Sequence, residues 1–243
     1  MSVSLHIGTS GWSYDHWRQV FYPEDCPKSQ WLAFYTSHFT TVELNASFYR
    51  LPAVGTFENW RRNTPAHFIW AVKASRYITH IKRLHEPADS LARFFDAARL
   101  LKEKLGPILF QLPPSLAFDE HRAREFCKAL AIYTHRCTLE VRHASWLADK
   151  PLAMLSDFNI ALCISDTAGR YPYCDALTAD FVYVRLHGSR QLYGSNYCEN
   201  ELVAWAEKIR AWNRDAYVYF DNDFRGYAPQ NALRLKELLT PAR

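Results

Sequence analysis

The chain has 243 residues, 49% hydrophobic and 22% charged, which is an ordinary globular composition long enough for one barrel-sized domain. A net charge of +4 and a pI near 8.7 are mildly basic. That balance suits a small anionic partner and falls short of the clustered charge of a dedicated nucleic-acid binder.

In chain order, a first strand is expected over 5–9, followed at once by the tight turn Gly8-Thr9-Ser10-Gly11-Trp12. Trp12, Tyr14, Trp17, Phe21 and Tyr22 then crowd a long aromatic loop. Ser29 precedes a helix over 30–38, with Trp31, Phe34 and Tyr35 at helical spacing. A second strand over 40–45 carries Glu43 and Asn45 with the same parity, and 46–52 reads as a loop. After a helix over 57–63, a third strand over 68–74 brings Lys73 to its end, with Arg76 and His80 beyond. The strongest helical periodicity runs over 88–105, through Leu91, Phe94, Phe95, Ala98 and Leu101, and Gly106-Pro107 is expected to end it. The fourth strand, over 108–112, carries Gln111 and stops at Pro113-Pro114.

A helix over 120–133 leads to the fifth strand, where Glu140 and Arg142 share one face opposite Leu139 and Val141. A charged residue in a buried strand is costly without a partner, so this pair marks a functional rim. A helix over 151–157 precedes the sixth strand, 160–165, which ends at Asp166. The stretch 167–179 is aromatic and turn-rich. The seventh strand, 181–186, supplies Arg185 and His187, then Gly188-Ser189. A helix over 199–212, an eighth strand over 216–220 running into Asp221-Asn222-Asp223, and a helix over 229–239 complete the chain.

Strands and helices alternating in this way specify a parallel sheet, and eight of them specify a single-domain α/β protein, a (β/α)8 TIM-type barrel over residues 1–243. The six cysteines show no C-x-x-C spacing, against a zinc ribbon or redox pair. The N-terminus lacks a basic segment followed by an apolar run, and no stretch reaches membrane-span length. A cytoplasmic location with reduced thiols is the expectation.

In such barrels the chemistry lies where strands end. Those ends deliver Glu43, Asn45, Lys73, Gln111, Glu140, Arg142, Asp166, Arg185, His187 and Asn222. Arg142 and Arg185 offer planar forks for a carboxylate or phosphate. Gly188, Ser189 and Asn222 lie in the loops that commonly hold phosphate. Glu140, Glu43 and Asp166 are candidate bases, with His187 or Lys73 as acid. Lys73 could instead form a Schiff base, though a salt bridge to Glu43 is the expected arrangement. Trp12, Tyr14, Trp146 and Tyr193 are candidate stacking walls, and Tyr49 joins the candidate substrate contacts. No metal site is expected: Glu43, Glu140, Asp166 and His187 could supply ligands, but there is no H-x-H or H-E-x-x-H spacing, and the cations compete for the carboxylates.

Several of these segments carry a resemblance. They are Gly8-Thr9-Ser10-Gly11-Trp12, Phe21-Tyr22-Pro23, Val42-Glu43-Leu44-Asn45, Phe48-Tyr49-Arg50-Leu51-Pro52 and Val72-Lys73-Ala74-Ser75-Arg76. Gln111-Leu112-Pro113-Pro114, Glu140-Val141-Arg142-His143-Ala144-Ser145-Trp146, Arg185-Leu186-His187-Gly188 and Tyr219-Phe220-Asp221-Asn222-Asp223 continue the series. Together they resemble the YecE-like family, catalogued as a domain of unknown function (number 72). The resemblance implies a TIM-type barrel broadly similar to the xylose-isomerase and endonuclease-four superfamily, and implies no activity. The family's pattern has paired asparagines after the eighth strand; Asp221 stands at the first position and changes the charge of the pocket.

The expectation is therefore an enzyme acting on a small anionic, phosphorylated or sugar-like substrate by acid–base catalysis without a metal. Glu140 is the expected base, Arg142 and Arg185 the anion clamps, and His187 the acid or orienter. One alternative is a divalent-metal phosphoesterase or isomerase. Another is a non-catalytic binder of a metabolite or of nucleic acid, the latter through Arg76, Lys82 and Arg83.

Overall fold

The computed structural model describes residues 3–240; Met1 and Ser2, within the segment read above for a leader, and residues 241–243 lie outside it. Eight parallel strands form one sheet: β1 (Leu5–Thr9), β2 (Thr41–Leu44), β3 (Ile69–Lys73), β4 (Leu105–Gln111), β5 (Cys137–Glu140), β6 (Ala161–Asp166), β7 (Phe181–Leu186) and β8 (Asp215–Phe220). Their order is β1-β8-β7-β6-β5-β4-β3-β2, and the bridge Ser10↔Glu43 brings the two ends together. Helices α1 (Trp31–His38), α2 (Ala46–Tyr49), α3 (Val54–Arg62), α4 (Pro87–Ala98), α5 (Glu120–Ala131), α6 (Asp149–Asp157), α7 (Glu199–Trp212) and α8 (Tyr227–Leu239) lie between strands or after the last. The result is a single α/β domain, a nearly closed TIM-like barrel.

Strict alternation along each strand divides the apolar residues into two cores. Outward residues such as Leu139, Ile164, Val184 and Val218 pack against the helices. Inward ones, including Ala71, Leu109, Cys163, Tyr183 and Tyr219, fill the barrel. Tyr183 and Tyr219 meet with ring centroids 5.3 Å apart, and His6 stacks on Tyr217 lower down at 4.6 Å.

The β1–β2 seam is closed by a side chain rather than a ladder. Tyr35 Oη accepts the Thr9 N–H at 3.1 Å and donates to the Thr41 carbonyl at 3.0 Å. Gly8 allows the approach, because a Cβ there would fall 2.3 Å from the Thr41 carbonyl oxygen.

Three expectations are corrected. The helix over 88–105 stops at Ala98, and tight turns with a positive φ at Lys102 carry the chain to Lys104. Lys104 Nζ turns inward and donates to the carbonyls of Arg61 and Thr64, both at 2.6 Å. Gly106-Pro107 does not end a helix but lies inside β4. Proline cannot donate to a ladder, so the pairing bulges there: Trp70 pairs with Leu105, and Val72 already with Ile108. Within the expected loop 46–52, Ala46–Tyr49 form the short helix α2. Among the described residues no helix is long and apolar enough to cross a membrane.

Candidate active site at the barrel mouth

Continuing the inward parity one step beyond the apolar filling brings up one residue per strand: Ser10, Glu43, Lys73, Gln111, Glu140, Ser165, Arg185 and Asp221. All eight are polar. Apolar side chains would fill this layer more favourably, so its composition is not explained by stability.

Arg185, 1% exposed, is the hub. Its Nε and Nη2 form a fork on Glu43, at 3.0 Å to Oε2 and 2.7 Å to Oε1. Nη2 also donates to Ser10 Oγ and Asp221 Oδ2, each at 3.0 Å. Nη1 donates to Glu140 Oε2 at 2.8 Å, and His187 Nε2 lies 3.3 Å from the same nitrogen. Nε and both terminal nitrogens of this guanidinium are thus engaged inside the protein. Glu43 also accepts from Ser10 Oγ and, at 2.7 Å, from Tyr183 Oη. Glu140 accepts from Gln111 Nε2 at 2.7 Å, Arg142 Nη2 at 3.1 Å and Ser165 Oγ at 3.3 Å.

Burial alone would raise the Glu140 carboxyl, but Arg185, Arg142 and His187 hold it well below the usual carboxylate range. Burial likewise opposes ionisation of Asp221, and Arg185 and His187 overcome it. Burial and the Arg185 charge push His187 down, yet Asp221 and Glu140 prevail and its pKa is raised. Its Nδ1 lies 3.0 Å from Asp221 Oδ2.

Lys73 differs from the rest of the layer. Its side chain is packed away with the residue 9% exposed, and burial followed by the Arg185 charge lowers its pKa from 10.5 to about 8. Nζ stands 4.3 Å from the Phe48 ring centroid. Among the described residues no hydrogen bond or ion pair engages that amine, so the salt bridge to Glu43 expected from the sequence does not form. Nearby, burial and the charges of Lys73, Arg142, Arg76 and Arg83 depress His80 to about 4.

The structure brings Glu43, Lys73, Gln111, Glu140, Arg142, Arg185 and His187 together, with Asn45 beside them donating to Ser10 Oγ at 2.8 Å. It does not bring Asp166 and Asn222 into this group. Each follows an inward residue by one position, so each points out of the barrel. Asp166 accepts from Tyr197 Oη at 2.9 Å in a crevice shared with Ser189 and Glu201. Asn222 donates to the Ser195 carbonyl and to Asn231 Oδ1. The Gly188 N–H, read as a phosphate contact, donates to Tyr197 Oη at 3.0 Å.

Of the aromatic walls, Tyr193 meets the His187 ring edge-on at 5.4 Å, and Tyr14 Oη donates to the Ser10 carbonyl at 2.6 Å. Trp12 packs on Trp60 and Trp70 and Trp146 on Phe118, all in the outer core, while Tyr49 stands 75% exposed outside Phe48. Sequence reasoning passed over Ser10, Ser165 and Tyr183 as site residues and noted Asp221 only as a departure. Counting in twos along β1, β6, β7 and β8 identifies all four. Tyr171, under the Arg142 guanidinium at 4.4 Å, comes from an irregular loop and left no such signal. Glu43, Glu140 and Asp221 all turn onto Arg185, and among the described residues no group of three His, Cys, Asp or Glu side chains is disposed to hold a metal.

Fold and site together define a TIM-like α/β barrel with a buried ionic cluster across its mouth. The chain belongs to the family described as "Protein of unknown function DUF72", whose model matches residues 6–243. UPF0759 protein YunF of Bacillus subtilis (strain 168) is 29% identical over 272 residues, spanning 97% of this chain and 94% of the relative. A DUF72 family protein from Thermotoga maritima superposes with a TM-score of 0.88 at 30% identity, covering 97% of this chain and 99% of its own. One from Enterococcus faecalis gives 0.84 at 18% identity, over 98% and 96%. The D-psicose 3-epimerase of Clostridium cellulolyticum H10, solved with D-tagatose, gives 0.54 at 10% identity over 96% and 98%, a likeness of fold.

Proposed function

We propose that this protein is an enzyme that moves protons on a small anionic, sugar-like carbonyl compound at the barrel mouth, without a metal. His187 is the proton carrier, and Lys73 is the group that meets the substrate. The observation that carries this reading is the unequal pairing of the polar layer. Three carboxylates are anchored by Arg185, while among the described residues the Lys73 amine at the same level has no hydrogen-bonding or ionic partner.

The roles differ from those expected from the sequence. Glu140 receives bonds from four side chains and is held strongly acidic, so it is a fixed negative charge and a weak base. Arg185 directs Nε and both terminal nitrogens onto groups of the protein, and its part is to fix Glu43, Glu140 and Asp221. Arg142, 12% exposed, engages Glu140 through Nε and Nη2 only and remains the candidate anion contact. The cations around His80 support an anionic substrate on that flank.

The test incubates the purified protein with free and phosphorylated aldoses and ketoses in deuterium oxide, with and without chelator. Exchange at the carbon next to the carbonyl is followed by NMR. Exchange that survives chelation and falls about a hundredfold or more in His187→Gln is the expected result. Exchange with none of the sugars, or only with added metal, would overturn the proposal.

A further inference from the structure

Lys73 is presented as a nucleophile presents itself. β3 ends at this residue, and α2 fixes the backbone there, since Ser47 Oγ donates to the Lys73 carbonyl at 2.6 Å within the buried layer. Phe48, from the same short helix, forms an apolar floor 4.3 Å from Nζ. A lysine kept only for its charge would be expected to sit against a carboxylate. Glu43, Glu140 and Asp221 are all close enough to be felt, yet all three are oriented onto Arg185 instead. The hub thereby keeps the carboxylates away from the amine.

We infer that Lys73 attacks the carbonyl carbon of the substrate and carries it as an imine. This deepens the function proposed above and rests on it. The Nζ lone pair forms the C–N bond as the carbonyl π electrons move to oxygen, which takes up a proton. The amine's two N–H protons leave nitrogen in the course of these steps, and the carbinolamine oxygen, having taken up a second proton, departs as water; His187, on the same hub, is the proposed proton carrier. The product is a C=N bond whose protonated form draws electrons from the adjacent carbon. A C–H there becomes acidic without a metal, and hydrolysis reverses each step and returns the free amine. Carbonyl compounds bearing a hydroxyl on the neighbouring carbon are the class of substrate this chemistry serves.

Sodium borohydride supplies the hydride that converts the imine to a stable secondary amine. The experiment treats the full-length protein at pH 7 with dihydroxyacetone phosphate and borohydride, then locates the adduct by peptide mass spectrometry. The chain's other lysines, of which Lys82, Lys128 and Lys150 are examples, serve as internal controls. At pH 7 the free-amine fraction of a lysine near 8 exceeds that of an ordinary one by a factor on the order of a hundred, and labelling should favour Lys73 accordingly. Lys73→Arg keeps the charge and should lose the adduct, and Lys73→Met, checked for folding by circular dichroism, repeats the test without charge. Equal labelling of many lysines, unchanged in the variants, would overturn the inference. Absence of adduct while deuterium still exchanges into the probe would overturn the imine and leave the acid–base function standing. Absence of both would remove both.

Discussion

Replacing Lys73 by Met isolates the energetic consequence of a largely buried lysine whose amine has no hydrogen-bonding or ionic partner among the described residues. An unfolded lysine holds its proton up to 10.5, whereas Lys73 in the fold releases it at about 8. Between those values the unfolded chain binds more protons, so stability rises with pH across that window and is flat below it. Each tenfold change in proton affinity is worth about 1.4 kcal/mol, which makes the penalty at neutral pH about 3 kcal/mol. Lys73→Met removes this penalty. Its stability advantage over the parent should therefore be about 3 kcal/mol larger at pH 7 than at pH 10.5, and the difference between the two proteins cancels other groups that titrate in the same range. Urea unfolding at a series of pH values measures it. A difference that does not vary with pH would show that the amine is paired or hydrated in the folded state, and the argument for a free nucleophile would go with it.

Arg185→Met should act in the opposite direction, leaving Glu43, Glu140 and Asp221 without their shared cation and destabilising the fold by about 3–5 kcal/mol; a loss under about 1 kcal/mol in urea unfolding would show that the cluster is not what holds the mouth together. In Glu140→Gln the loss of a negative charge that raises Lys73 should move the amine below its present value near 8, a shift that competitive acetylation followed by mass spectrometry reads directly. No shift, or an upward one, would place Glu140 outside the field of the amine. Tyr35→Phe should strand the Thr9 N–H and Thr41 carbonyl at the seam and cost about 2–4 kcal/mol, with amide exchange at Thr9 accelerated ahead of β7. Equal protection of the two strands would mean that the seam does not depend on this hydroxyl.

The eight-strand barrel was legible because alternation and helix periodicity are local properties of the chain. The same alternation placed Glu43, Lys73, Gln111, Glu140 and Arg185 at one opening. Where it was set aside in favour of proximity to a strand end, at Asp166 and Asn222, the side chains turned out to face away from the axis. The β4 bulge was hidden because Gly106-Pro107 carries the same local signal whether it stops a helix or bends a strand.

The linear sequence thus determined which residues reach the mouth, since a strand's parity is set by its own backbone. Only the tertiary structure decided which of them pair. Arg185 had Glu43, Glu140 and Asp221 within reach at once, separated from it by 142, 45 and 36 positions in the chain. That convergence depends on how the strands are staggered around the barrel. The same stagger leaves Lys73 without an acceptor among the described residues, because a buried ion pair forms only where geometry lets the charges meet.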